Sequence, residues 1–180
     1  MKTIALFGGS FDPPHIGHET VVHELVQLSY IDKVIVMPTY LNPFKSQFYA
    51  PSELRFQWLQ KMFRLDEKVI VSDYEILLKR KVSTIETLEY LLKEYAKVYI
   101  VIGADNLQTL KKWNNYKELQ QKATFIVATR DGMKIPKEFI HLKIEQDVSS
   151  SQLRQQVDKK YLPLVCQKEI IQFYKEKNER

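Results

Sequence analysis

The chain has one cysteine, Cys166, in 180 residues, so it can form no internal disulfide and no zinc site built on several thiolates. Its five glycines and seven prolines gather at a few turns, which excludes low-complexity organisation. No apolar run approaches the roughly 20 residues that a membrane helix needs. The apolar segment after Lys2 is five residues long and stops at Gly8-Gly9, too short for the hydrophobic part of a secretory signal. These shortages make a reducing cytoplasm the expected compartment. Charge of one sign is also modest. The formal net charge is +5, and the basic residues are dispersed apart from Lys79-Arg80-Lys81. A nucleic-acid-binding module requires a coherent basic stripe interleaved with stacking aromatics, and no such stripe is visible. Neither nucleic acid nor a membrane is therefore an expected partner, whereas a small phosphorylated ligand suits this charge.

What the chain does have is core. Its composition is 44% hydrophobic and 27% charged, enough for one folded domain over residues 1–180. Thr3–Phe7, Lys33–Met37, Lys97–Ile102 and Thr124–Ala128 are short and nearly continuous in apolar character, as strands buried on both faces of a parallel sheet are. Lys68–Val71 and His141–Glu145 are weaker strand candidates. Helical patterns fill the gaps over Gly17–Ser29, Ser52–Leu65, Ser83–Tyr95, Ser149–Asp158 and Leu164–Lys175, the last two forming a helical segment from about residue 149. Ser52 is placed to cap the second pattern, and Ser83-Thr84-Ile85-Glu86 has the form of a capping box. Strands alternating with helices predict an α/β fold, a doubly wound parallel sheet with right-handed crossovers.

In such a sheet ligands bind beyond the carboxyl ends of the strands, and the unusual sequences fall there. Gly8-Gly9-Ser10-Phe11-Asp12-Pro13-Pro14-His15-Ile16-Gly17-His18 runs from the first strand into the first helix. Its glycines permit close approach of a ligand, and its prolines fix the turn. Two histidines at the helix start add imidazoles to the electropositive helix end, a place that suits phosphate. As residues alone, His15 and His18 also fit helix caps or half of a metal site, although only His23 and His141 remain as further histidines. The run lacks the Gly-Lys-Ser/Thr of a Walker loop, the last glycine of a nucleophile elbow and the spacing of the dinucleotide fingerprint. A covalent serine mechanism is thus not favoured.

Other candidates are less self-sufficient. Ser149-Ser150-Ser151-Gln152-Leu153-Arg154 combines hydroxyls, a helix start and an arginine, and fits either a second phosphate site or an ordinary cap. Lys45 lies in a loop fenced by Pro38 and Pro43, and is either delivered to a set place or merely solvated. Gly103-Ala104-Asp105-Asn106 follows a buried strand. There Asp105 suits a ribose hydroxyl, a magnesium ion held through phosphates, or the cap of the next helix. Trp113 suits stacking on an aromatic ligand or an edge of the core. Trp58 reads as core, and Cys166, with no helix start or histidine beside it in sequence, reads as packing.

With these motifs in order, the chain resembles the bacterial nicotinate mononucleotide adenylyltransferases of the HxGH nucleotidyltransferase superfamily, with their Rossmann-like fold. The first motif specifies only the superfamily, and Gly103-Ala104-Asp105 with Trp113 narrows it to the family. The chain carries Phe44 where many members have a histidine, and Val82-Ser83 where many have Ser-Tyr. The resemblance implies transfer of AMP from ATP, with Mg²⁺ on the phosphates, to nicotinate mononucleotide in NAD biosynthesis. It implies His15 and His18 on the ATP phosphates, closed over by Ser149, Ser150 and Arg154, with Lys45 also on phosphate. It implies Gly8, Gly9, Ser10, Phe11, Gly103 and Asp105 along the nucleotide, and Thr84 and Trp113 around the pyridine ring. Rivals are a phosphopantetheine adenylyltransferase, which needs a pantetheine channel, and a sensor that binds ATP without releasing pyrophosphate.

Overall fold

The computed structural model describes residues 1–129, 134–145 and 147–179. Six strands form one all-parallel sheet: β1 (Thr3–Gly9), β2 (Lys33–Pro38), β3 (Val69–Val71), β4 (Lys97–Gly103), β5 (Thr124–Thr129) and β6 (Ile140–Lys143). Their spatial order is β3-β2-β1-β4-β5-β6. Register places Leu6 against Ile35 on one side and Ile100 on the other, so β1 is central. The order reverses between β1 and β4. Connections leave these two strands in opposite directions and open a crevice at their carboxyl ends.

The helices are α1 (Ile16–Gln27), α2 (Ser52–Phe63), α3 (Tyr74–Leu77), α4 (Thr84–Leu91), α5 (Leu107–Leu110), α6 (Tyr116–Lys122), α7 (Ser150–Gln155) and α8 (Gln167–Asn178). Strand alternation builds two cores. Ala5, Phe7, Val34, Val36 and Val101 face α1 and α2, whereas Ile4, Leu6, Ile35, Ile100 and Ile102 face α4 and α6. A third cluster joins Trp58 of α2 to Leu153 of α7 and Ile170 and Tyr174 of α8. Among the described residues no helix is long and apolar enough to cross a membrane.

The doubly wound parallel sheet agrees with the sequence reading, and all six strand segments exist within a few residues of expectation. Several local expectations do not survive. Pro51, not Ser52, occupies the N-cap of α2, and the Ser52 hydroxyl turns to Glu53 at 3.0 Å. Ser83 takes the N-cap place of α4 but makes no side-chain cap, and the Glu86 carboxylate that would supply the other half of the box is bound by Arg80. Cys166 does stand at a helix start, the N-cap of α8, but it is buried, and burial pushes its thiol up to about 12. It remains a packing residue. The short helices α3, α5 and α6 have too few turns to leave a clear period in the sequence.

Candidate active site

A cleft of about 550 Å³ opens at the crevice, a size usual for small-molecule sites. Every site residue named from the sequence lines it: Gly8 and Gly9 at the end of β1 with Ser10 and Phe11 just beyond, His15 and His18, Lys45, Thr84, Gly103 at the end of β4 with Asp105 just beyond, Trp113, and Ser149, Ser150 and Arg154.

The histidines are both caps and cleft residues. His15 is the N-cap of α1, and its Nδ1 accepts from the Gly17 amide at 3.1 Å. His18 Nδ1 accepts from the His15 amide at 3.1 Å, closing a capping box made of imidazoles. These bonds engage Nδ1 in each ring, so the neutral tautomer carries its proton on Nε2. The rings stack with centroids 3.6 Å apart and planes 22° from parallel. Burial, and secondarily the neighbouring His15, hold the His18 pKa well below its ordinary value, which keeps the ring neutral. Gly17 makes the stack possible, since a Cβ there would lie 3.0 Å from the His15 ring and 3.1 Å from Val148. Phe11 adopts a left-handed backbone (φ 49°), held by edge contacts of its ring with Phe7 and His18 at 5.4 and 4.8 Å. A Cβ at Gly8 or Gly103 would meet no protein atom nearer than 3.8 Å, so packing alone does not demand glycine at either place.

The second candidate motif clasps the first. Ser149 caps α7 in a capping box with Gln152. Ser150 Oγ donates to the Pro13 carbonyl at 2.8 Å, and Arg154 Nη1 donates to the Asp12 carbonyl at 2.7 Å. Arg154 also covers the Tyr49 ring at 4.7 Å. Lys45 Nζ reaches Ser10 Oγ at 3.3 Å. Partial burial, and then the charge of Arg154, lower its pKa.

Beneath this lies a polar hub that the sequence reading missed. Asp12, 2% exposed, accepts from the Tyr49 and Ala50 amides at 2.7 and 2.9 Å and from the Tyr174 hydroxyl. Arg55, 1% exposed, donates to the Ala50, Ser10, Thr39 and Tyr40 carbonyls at 2.6 to 2.9 Å. The signal existed: Arg55 shares the helical face of Trp58, Leu59 and Phe63, where a charge is out of place unless it is paired.

The remaining wall is different in kind. Glu75 on α3 is 6% exposed, and Thr87 Oγ1 on α4 donates to its Oε1 at 2.6 Å. Burial raises the Glu75 carboxyl to about 7, against the opposing effect of that hydrogen bond. Nothing in sequence separated this acid from a solvated one. Trp113 packs against the second core while lining the cleft, and its Nε1 is buried with no partner among the described residues. Asp105 does not cap a helix. It lies exposed within the 3₁₀ turn Ala104–Asn106, whose N-cap is Gly103.

The Cytidylyltransferase-like family model matches residues 6–156. A Sulfurimonas denitrificans protein named "Probable nicotinate-nucleotide adenylyltransferase" is 57% identical, the match covering 99% of this chain and 98% of its own length. The chain belongs to the nicotinate-nucleotide adenylyltransferase family. Another relative of that name, from a Nitratiruptor species, is 47% identical over 96% of this chain and 98% of its own. Among solved structures, the Plasmodium falciparum nicotinic acid mononucleotide adenylyltransferase complexed with NaAD superposes with a TM-score of 0.80 at 23% identity. That match covers 97% of this chain and 98% of the other, and it extends the fold of the family to this sheet. For a nicotinate-nucleotide adenylyltransferase family member, a cleft at the β1/β4 reversal stands where an open sheet of this type binds nucleotide.

Proposed function

We propose that the protein transfers the adenylyl group of ATP to nicotinate mononucleotide, giving nicotinate adenine dinucleotide and pyrophosphate. Membership of the family supports the reaction. The observation that carries the residue roles is the stacked His15–His18 pair, capped through Nδ1 at the start of α1 and lining the cleft.

The acceptor brings its own nucleophile. A 5′-phosphate oxygen attacks the α-phosphorus in line, a new P–O bond forms, and the bond to the bridging oxygen breaks with its electron pair leaving on pyrophosphate. Charge moves toward the β-phosphate. Nε2–H donors of His15 and His18 and the amides at the start of α1 strengthen as it does. Ser149, Ser150, Arg154 and Lys45 add donors and positive charge, and two of them first hold the 12–13 turn in place. Gly8, Gly9, Ser10 and Phe11 give the nucleotide a wall without long side chains. Gly103 and Asp105 serve the adenosine, and Thr84 and Trp113 the pyridine ring.

Magnesium, when bound, neutralises charge on the departing phosphates. The described residues include no group of three or more His, Cys, Asp or Glu side chains able to cage a cation. An ion arriving with the triphosphate would find the Asp105 carboxylate, which lines the cleft, as an acidic group to hold it.

The test is incubation with ATP, Mg²⁺ and nicotinate mononucleotide, with products identified by mass. Nicotinate adenine dinucleotide and pyrophosphate are expected. ATP binding without pyrophosphate release would support the sensor reading, and transfer only to phosphopantetheine would support the other rival.

A further inference from the structure

Thr84 and Thr87 stand three residues apart on α4, so their side chains share one face of the helix. The Glu75 carboxyl, hydrogen-bonded to Thr87, is thereby held about one helical turn from Thr84, and all three line the cleft with Trp113. Thr87 engages Oε1, and Oε2 accepts no hydrogen bond from the described residues. The charge acting on the carboxyl is Glu86 of α4, which is like in sign and is itself paired with Arg80 of the α3–α4 connection. Tyr74, on Glu75's own helix, is the other ionisable neighbour. A buried carboxyl with one hydroxyl partner is costly to the fold. It is also a group able to change from donor to acceptor inside a binding cleft.

Resting on the acceptor site proposed above, we propose that Glu75 is a specificity-determining residue that reads the ring substituent of the mononucleotide. Protonated, its Oε2–H donates to the carboxylate of the acid. Ionised, the same oxygen accepts from the N–H of a carboxamide. Binding the acid therefore takes up a proton wherever Glu75 is ionised in the free protein. Binding the amide releases one wherever Glu75 is protonated. With the free carboxyl near 7, preference for the acid weakens as pH rises through neutrality.

The experiment measures kcat/KM for nicotinate mononucleotide and nicotinamide mononucleotide from about pH 6 to about pH 9, and reads their ratio. The 5′-phosphate titrates alike in both acceptors and cancels. In the wild-type protein the acid-over-amide ratio is expected to fall with pH by up to about tenfold per unit, the slope of a one-proton linkage. Glu75→Gln cannot ionise and should flatten the ratio. Thr87→Val removes a donor that favours the ionised form, and should move the inflection to higher pH while keeping its shape. A merely structural role would not move an inflection. A flat wild-type ratio would overturn the proposal, as would a Glu75→Gln ratio that still tracks the wild-type curve or a Thr87→Val inflection that stays in place. If neither mononucleotide accepts AMP at any pH, the acceptor assignment itself is wrong, an outcome distinct from these.

Discussion

The cleft is lined on one side by Gly8, Gly9, Ser10, Phe11, His15, His18, Ser149, Ser150 and Arg154, and on the other by Glu75, Thr84 and Trp113. On the first side polar groups are already spoken for: Ser150 and Arg154 hold the 12–13 turn, His15 and His18 cap α1, and Asp12 and Arg55 lock the loops underneath. On the second side Glu75 has one hydroxyl partner, and Trp113 Nε1 has none among the described residues. Triphosphate handling calls for donors fixed before the reaction, because reorientation during charge transfer costs rate. Recognition of a ring substituent calls for groups whose polar bonds the ligand completes. One side is satisfied by the protein, and the other is left for the substrate to satisfy.

The contrast can be broken at graded points. Arg55→Met leaves four buried carbonyls without their donor and removes the positive charge near Asp12, and should cost about 3–5 kcal/mol of stability in denaturant unfolding. A loss under about 1 kcal/mol would mean the hub is not what holds the phosphate loops. His18→Ala should lower kcat by about 10²–10³, equivalent to about 3–4 kcal/mol in the barrier. Its stability cost should be no more than a lost cap, about 1 kcal/mol. Turnover close to wild type would remove His18 from the phosphate role.

Glu75→Gln sharpens the other side. A carboxyl raised from 4.5 to about 7 holds its proton longer in the native state than in the unfolded chain. Native stability is therefore fully favoured below about 4.5 and lost as pH rises toward 7. The variant should be more stable than wild type above neutrality by up to about 3 kcal/mol, with no such gain in mild acid. Equal shifts at both pH values in thermal melts would show that Glu75 is not an ionisable liability. Ser149→Ala is the smallest change, about 1 kcal/mol of stability from the lost α7 cap. It should leave the pH dependence of acceptor choice untouched, because it acts on the opposite side.

Much of the molecule is legible in the sequence. Continuous apolar runs are what strands buried on both faces must be, so the parallel sheet and its crevice followed from Thr3–Phe7, Lys33–Met37, Lys97–Ile102 and Thr124–Ala128. The Gly8–His18 run named its site because glycine, proline and a helix start constrain the backbone locally, whatever surrounds them. Gly17, the next-to-last residue of that run, has a reason only in space: the His15 ring occupies the room a Cβ would need.

Tertiary structure alone decided which polar residues are joined. The Glu86 carboxylate that local spacing assigned to a capping box went to Arg80. Asp12 and Tyr174 lie 162 positions apart and share a hydrogen bond, and Glu75 owes its burial and its raised carboxyl to the packing of α3 against its neighbours. Backbone preference and hydrophobic period are properties of a short segment, and so they can be read along the chain. Burial, desolvation and hydrogen-bond partnership depend on groups that only folding brings together.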